Sequence, residues 1–327
     1  MPSHRRALLA ATLAAPVLAA PAIARAQAAW PDRPLRFIVP FPPGGSTDVL
    51  SRVLCEALGA RLGQPVVPEN RAGAAGNVGV EAIARARPDG YTIGISTIGP
   101  LSAHLALYPS LPFDPRSDFT YLADLYEIPN VFVVNPASGI ASVADFIARA
   151  KARPGELTYG TPGNGTTGHL GTEFFSRAAG IRLTHVPYRT GATAVQDLIA
   201  GRIDMMFDNL PTIVGQITSG QIRALAVSTA ARWPTLPEVP TMAEAAIPGF
   251  EVTSWSGMLG PKGLPEPITR RLVEETLAIG EDRAFQQRYI QMGARATMAG
   301  PEVLRARIER EIPRWAEVVK ESGARVE

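Results

Sequence analysis

Leu35-Arg36-Phe37-Ile38-Val39-Pro40-Phe41-Pro42-Pro43-Gly44-Gly45-Ser46-Thr47-Asp48 is the stretch from which the rest of the chain can be read. Leu35 to Val39 is a short apolar run of strand length, and the prolines and glycines after it break any regular element. Ser46-Thr47-Asp48 then places hydroxyls and an acid where a helix begins, and an amphipathic pattern runs on to about Leu62. The unit is strand, Gly/Ser/Thr loop, helix.

The same unit recurs outward from this point. Pro65–Val67 reads as a strand and Asn77–Ala86 as a helix; Tyr91–Ile95 leads through Ser96-Thr97-Ile98-Gly99-Pro100 into another short helix. Asn130–Asn135 is an apolar strand, followed by a helix from Ser142 to Ala152. Leu157–Gly160 enters the loop Thr161–Gly165 and a helix to about Ala179. Leu183–Pro187 with Ala192–Ala200, Ile203–Phe207 with a helix from Asn209, and Arg223–Ser228 complete the series. Strands alternating with helices predict parallel βαβ units in an open α/β sheet. Ligands bind such sheets beyond the carboxyl ends of the strands, where helix N-termini offer unpaired N–H groups. Here the loops carry Gly, Ser, Thr and Asn with almost no Lys or Arg. That suits backbone and hydroxyl contact with a small carboxylate, whereas a polyphosphate would bring a Lys or a metal ion.

Composition narrows the classes. A chain of 327 residues is long enough for two domains, each with its own core. With 46% hydrophobic and 19% charged residues and a mean hydropathy of +0.06, it is not a disordered sequence. A formal charge of +2 gives no sign of a nucleic-acid partner. Gly and Pro together make 60 residues, which argues for many tight turns over a helical bundle.

Residues 1–26 read as a signal peptide: Arg5 and Arg6, the small apolar run Ala7–Ala24, and the A-x-A site Ala24-Arg25-Ala26. The mature chain would start near Gln27, with no later apolar run long enough to span a bilayer, and would be periplasmic. Without this segment the chain holds 29 Lys and Arg against 30 Asp and Glu, so long-range steering of an anion is weak and local groups must attract it. The one cysteine, Cys55, lies in an amphipathic helical stretch with no base nearby in sequence. It reads as a buried structural thiol, and a disulfide framework is excluded.

Several catalytic and cofactor motifs fail. Gly163-Asn164-Gly165-Thr166-Thr167-Gly168 matches G-x-G-x-x-G, but Leu183–Tyr188 lacks the acid a dinucleotide site needs about 20 residues on. No P-loop and no G-x-S-x-G elbow occur. His104, His169 and His185 stand without metal-ligand spacing and read as structural or neutral hydrogen-bonding groups. A Thr166/His169 hydrolytic pair, with an Asp, is conceivable, but i to i+3 on one helix orients the pair poorly for proton transfer. Asp48 fits the first turn of its helix, Asp208-Asn209 fits a cap, and Tyr188 reads equally as core-edge packing or a ligand lid. The closing helix Pro301–Ser322 presents a solvated charged face. No cofactor, metal or catalytic residue is expected.

Taken together, these residues resemble the Bug (TctC-like) family of extracytoplasmic solute-binding proteins of tripartite tricarboxylate transporters. The likeness spans the mature chain. It is carried by Trp30-Pro31-Asp32-Arg33-Pro34, Val39-Pro40-Phe41 with Pro43-Gly44-Gly45 and Asp48, Pro88-Asp89-Gly90-Tyr91-Thr92, Gly163-Asn164-Gly165-Thr166, His185-Val186-Pro187-Tyr188, Phe207-Asp208-Asn209-Leu210-Pro211 and Pro240-Thr241-Met242-Ala243-Glu244. The resemblance implies a two-lobed, type II-like "Venus flytrap" α/β fold, each lobe a mostly parallel sheet flanked by helices. Lobe 1 would take residues 27–130 and 251–327, and lobe 2 residues 131–250. It implies a ligand carboxylate held between the lobes by Phe41, Gly44, Gly45, Ser46, Thr47, Asp48, Ser96 and Thr97 on one side. Asn164, Gly165, Thr166, Thr167, His169, Tyr188, Asp208 and Asn209 would face them on the other. The implied protein is a monomeric receptor that delivers a small organic carboxylate to membrane permease subunits; a sensory partner of a membrane receptor is the alternative, and the Thr166/His169 hydrolase a more distant one. Two positions depart from the family pattern: Arg71-Ala72-Gly73 replaces Arg-Pro-Gly, and Arg189-Thr190-Gly191 follows Tyr188 where a Lys-Gly pair is frequent.

Overall fold

The computed structural model describes residues 30–322; the leader read at residues 1–26 lies outside them. The strands are β1 (Leu35–Val39), β2 (Val66–Asn70), β3 (Thr92–Thr97), β4 (Phe119–Val134), β5 (Thr158–Thr161), β6 (Thr184–Pro187), β7 (Met205–Asn209), β8 (Arg223–Val227), β9 (Thr253–Pro261) and β10 (Arg295–Ala299). Their order is β2-β1-β3-β9-β4-β7-β5-β6, with β8 and β10 also paired to β4. The pairs β1–β2, β1–β3, β5–β6 and β5–β7 are parallel, as the strand–loop–helix repeat predicts. Every pairing made by β4 and β9 is antiparallel, so each lobe's sheet is mixed.

β4 changes partners partway along. Phe119–Pro129 pairs with β9, whereas Asn130–Val134 pairs with β7. The sequence reading begins this strand at Asn130; the structure begins it eleven residues earlier, at Phe119. Asp124 and Glu127 interrupt the apolar pattern there, and their charges are satisfied only by partners distant in sequence. Arg307 Nε lies 2.8 Å from Asp124 Oδ2 and its Nη2 lies 2.6 Å from Glu127 Oε1. Thr297 Oγ1 donates to Asp124 Oδ1 at 3.0 Å. The strand is made compatible with burial by the closing helix, which no local pattern reveals.

Phe37, Leu50, Leu54, Leu58 and Ile93 belong to one apolar core, and Val131, Val195, Leu198 and Met206 to another. Cys55 is buried in the first, and burial pushes its thiol up to about 12, so it is an inert packing group. A third core centres on Phe132, edge-on to Phe146 at 5.1 Å and Phe175 at 5.2 Å. Leu304, Ile308 and Trp315 of the helix Pro301–Ser322 join that core, and the helix packs on β4 and on the helix Thr167–Ala179. Each such side chain, fully buried, contributes about 1.5–3 kcal/mol. The closing helix thus has a charged outer face, as its sequence suggests, and an inner face that ties the two ends of β4 together.

Candidate functional site

Four helices begin at one cleft. Ser46–Leu62 follows β1, Thr167–Ala179 follows β5, Gly191–Ile199 follows β6 and Leu210–Thr218 follows β7. Two of them have side-chain caps: Thr166 Oγ1 accepts from His169 N, and Thr190 Oγ1 from Thr193 N. The other two start at Gly45 and Asn209 with no side-chain cap. Uncapped first-turn N–H groups carry the positive end of the helix dipole into the cleft. The enclosed space is about 150 Å3, below the roughly 300 Å3 at which drug-sized pockets start, so it suits a short ligand.

The lining draws on both lobes. Phe41, Gly44, Gly45, Ser46, Thr47 and Thr97 come from the loops after β1 and β3. Gly165, Thr166, Thr167, Asp208 and Asn209 come from the loops after β5 and β7. Among the described residues, the charged side chains on the wall are Arg189, exposed at the departure noted in the sequence, and Asp208. Asp208 is buried, accepts from Asn209 N at 2.8 Å through Oδ1, and has no partner on Oδ2. Burial pushes its carboxyl up to about 6.

Five residues expected at the site stand elsewhere. Asp48 lies behind the loop after β1: its carboxylate accepts from Gly44 N at 2.9 Å, Asn70 Nδ2 at 2.8 Å and Arg52 Nε at 3.0 Å. Burial works against the ionised form, yet the bonds from Arg52, Gly44 and Asn70 keep the carboxyl below its usual range. It fixes Gly44 at φ +82°, a left-handed conformation that glycine adopts without strain. Ser96 is fully buried in β3, and Asn164 is exposed on its loop. Tyr188 donates from its hydroxyl to Asp197 Oδ2 at 2.8 Å and packs behind β5, so the structure does not make it a lid.

His169 also sits outside the cleft wall, where its Nδ1 accepts from Gly165 N at 3.2 Å and its ring lies 4.6 Å from that of His185. Burial, with His185 beside it, lowers its imidazole to about 4. Thr166 Oγ1 donates to Gly163 O at 2.8 Å. Each member of the supposed hydrolytic pair is therefore bonded to backbone, and among the described residues no hydrogen bond joins the two side chains.

Hydrogen bonds from Asn209, Ser254 and His104 cross between the lobes beside the cleft. Asn209 Nδ2 donates to Ser46 Oγ at 3.2 Å. Ser254 Oγ on β9 lies 2.8 Å from Thr167 Oγ1 and 2.9 Å from both Asn209 Oδ1 and Asn130 Oδ1. His104 Nε2 meets Gly165 O at 3.1 Å while its Nδ1 lies 2.7 Å from Asn77 Oδ1. Burial lowers His104 to about 4; Gly165 O can only accept, so Nε2–H donates to it. Gly165 (φ +81°) comes so close that a Cβ would stand 3.0 Å from His104 Nε2.

Ser254, Trp255 and Ser256 line the cleft from the first half of β9, as does Ile128 from β4. The sequence reading misses them because it looks for site residues in loops after parallel strands, and these lie within antiparallel ones. Ala75, at φ +49°, completes the wall from the segment after Arg71-Ala72-Gly73. A non-glycine residue held in that region stores strain at the site.

The comparisons with known proteins agree with this architecture. The family described as tripartite tricarboxylate transporter family receptor matches residues 50–324. Protein BugT of Bordetella pertussis is 40% identical over 301 residues, 91% of each chain. The R. palustris Rpa4515 protein, solved with adipate, superposes with a TM-score of 0.87 at 38% identity, covering 90% of this chain and 98% of its own. MatC from Rhodopseudomonas palustris, solved with bound malate, gives 0.83 at 31% identity, covering 89% and all of its own length. The chain is a member of the tripartite tricarboxylate transporter receptor family, the TctC/Bug solute-binding proteins.

Proposed function

We propose that this protein is a periplasmic receptor that captures a small organic carboxylate between its lobes and delivers it to a tripartite tricarboxylate-type membrane transporter. The observation that carries the reading is the meeting of four helix N-termini on a small cleft whose wall holds hydroxyls and a single Arg. The uncapped N–H groups of Ser46 and Thr47, with the hydroxyls of Ser46, Thr47 and Thr167, hold the ligand carboxylate. Contacts from both sides favour the closed arrangement by their differential affinity, which is all a ligand can use to shift such an equilibrium. Lobe 1 is residues 27–130 with 251–327 and lobe 2 is 131–250, with export directed by residues 1–26. Adipate and malate in two similar structures support the ligand class.

A thermal-shift panel of di- and tricarboxylates, aromatic acids and amino acids, run on protein refolded to strip bound ligand, tests this. At about 100 times Kd an acid adds roughly 2.7 kcal/mol, several degrees in melting temperature. The reading fails if no acid in the panel moves the transition.

A further inference from the structure

A second cavity lies away from the ligand cleft. It is a groove of about 680 Å3 on the first lobe, between β1 and the helix Asn77–Ala84. Arg33, Arg36, Arg71, Arg85 and Arg87 line it. Ile38, fully buried, belongs to its floor, and Val78, 47% exposed, to its wall. Against five guanidinium groups stand Glu69, shared by Arg36 at 2.8 Å and Arg71 at 2.7 Å, Glu81 with Arg85 at 2.7 Å, and Asp89 with Arg33 at 3.7 Å. Among the described residues Arg87 is in no ion pair. This surplus of two positive charges sits on a chain that is otherwise close to neutral. The pairs are solvent-exposed, worth about 0–1 kcal/mol each, so exchanging one carboxylate partner for another costs little.

The groove is mechanically connected to the cleft. Gly79 brings the helix so close that a Cβ there would lie 2.6 Å from Pro40 Cα, at the start of the cleft loop. Just before the helix, Ala75 lines the cleft; its first residue, Asn77, holds the His104 that bonds Gly165 of the other lobe; its second, Val78, faces the groove. A body seated in the groove therefore touches the element that registers closure.

We infer that this groove is a docking site for an acidic, partly apolar polypeptide segment of the membrane partner, an inference that rests on the transport reading above. Carboxylate side chains would take the arginine rim and an apolar side chain would meet Val78, Ala82 and Ala86. The concave shape favours a protruding peptide over a flat lipid surface. Electrostatic contacts of this kind raise association rate and fix orientation, and salt screens them.

The test titrates the purified protein with a fluorescent short peptide of glutamate and leucine at low salt, beside phosphatidylglycerol vesicles. Saturable peptide binding is expected, weakened about tenfold or more in an Arg85→Glu/Arg87→Glu variant and unaltered in Arg310→Glu, a reversal on the exposed face of the helix Pro301–Ser322. The groove variant should keep the wild-type melting temperature and its response to acids. Absence of peptide binding, equal binding by the groove variant, or binding of the vesicles in place of the peptide would each overturn the inference. Peptide binding by a protein that no acid stabilises would instead sink the carboxylate reading and leave the groove standing, so the two failures are told apart.

Discussion

Asn209 and Ser46 stand 163 residues apart in the chain and are joined across the cleft by one hydrogen bond of 3.2 Å, Nδ2 to Oγ. The orientation of that amide is set by Ser254, whose hydroxyl lies 2.9 Å from Asn209 Oδ1. A crossing-strand residue thus aims a second-lobe amide at the first helical residue of the first lobe, and the cleft wall and its closure depend on the same side chain.

Asn209→Ala removes the bond and leaves Ser254 with one acceptor fewer. A net hydrogen bond contributes about 0.5–1.5 kcal/mol, so ligand affinity should fall by roughly two- to tenfold. Solution scattering should show the variant more open in the presence of saturating acid. Affinity within error of wild type would separate this bond from closure.

Asp48→Ala should weaken binding without removing a cleft-wall group. The loss of bonds from Gly44, Asn70 and Arg52, donors that are exposed or half-buried, frees the glycine loop, costing about 1.5–3 kcal/mol. A lower melting temperature together with a higher Kd is expected. An unchanged Kd in a destabilised variant would show that the loop does not depend on Asp48.

How much of this was legible in the sequence depends on whether the signal is local. The stretch Leu35–Asp48 announces strand, loop and helix because proline, glycine and an N-terminal acid act within a few residues of themselves, and the structure places a strand at Leu35–Val39 and a helix at Ser46–Leu62. The first half of β4 was hidden, because Asp124 and Glu127 are tolerable there through Arg307, Thr297 and Arg295, all distant in sequence. Ser254 and Trp255 were invisible as site residues for a related reason: only sheet pairing brings β9 to the cleft. Tyr188 and His169 lie next to the right loops but turn to Asp197 and to Gly165 N, which no motif encodes.

Asp208 makes a pH prediction. Its folded pKa, about 6, lies above the ordinary 3.8, so the folded state binds the proton more tightly and the ionised form is a cost. That cost is fully present above pH 6 and fades as pH falls through 6 toward 4. Asp208→Asn should therefore stabilise the protein by about 2–3 kcal/mol at pH 7.5 and by far less at pH 4. Equal effects at both values would mean that the wild-type carboxyl is not perturbed in this way.

The buried histidines act in the opposite sense. His104, His169 and His185 have folded pKa values lowered to about 4, chiefly by burial, so unfolding takes up protons. Their contribution is complete above pH 6.5 and is lost as pH falls toward 4. His104→Gln should flatten the acid limb of the stability profile by about one proton, measured by denaturant titration between pH 4 and 7. An unaltered slope would show that His104 titrates normally.

The central claim is that the cleft binds a carboxylate, and calorimetric titration of refolded protein with adipate, malate and their neutral diamides tests it most directly. The account predicts one saturable site for at least one acid, none for the diamides, and weakened binding in Asn209→Ala. Binding of no acid, whether these two or the rest of the thermal-shift panel, or equal binding of acid and diamide, would contradict it.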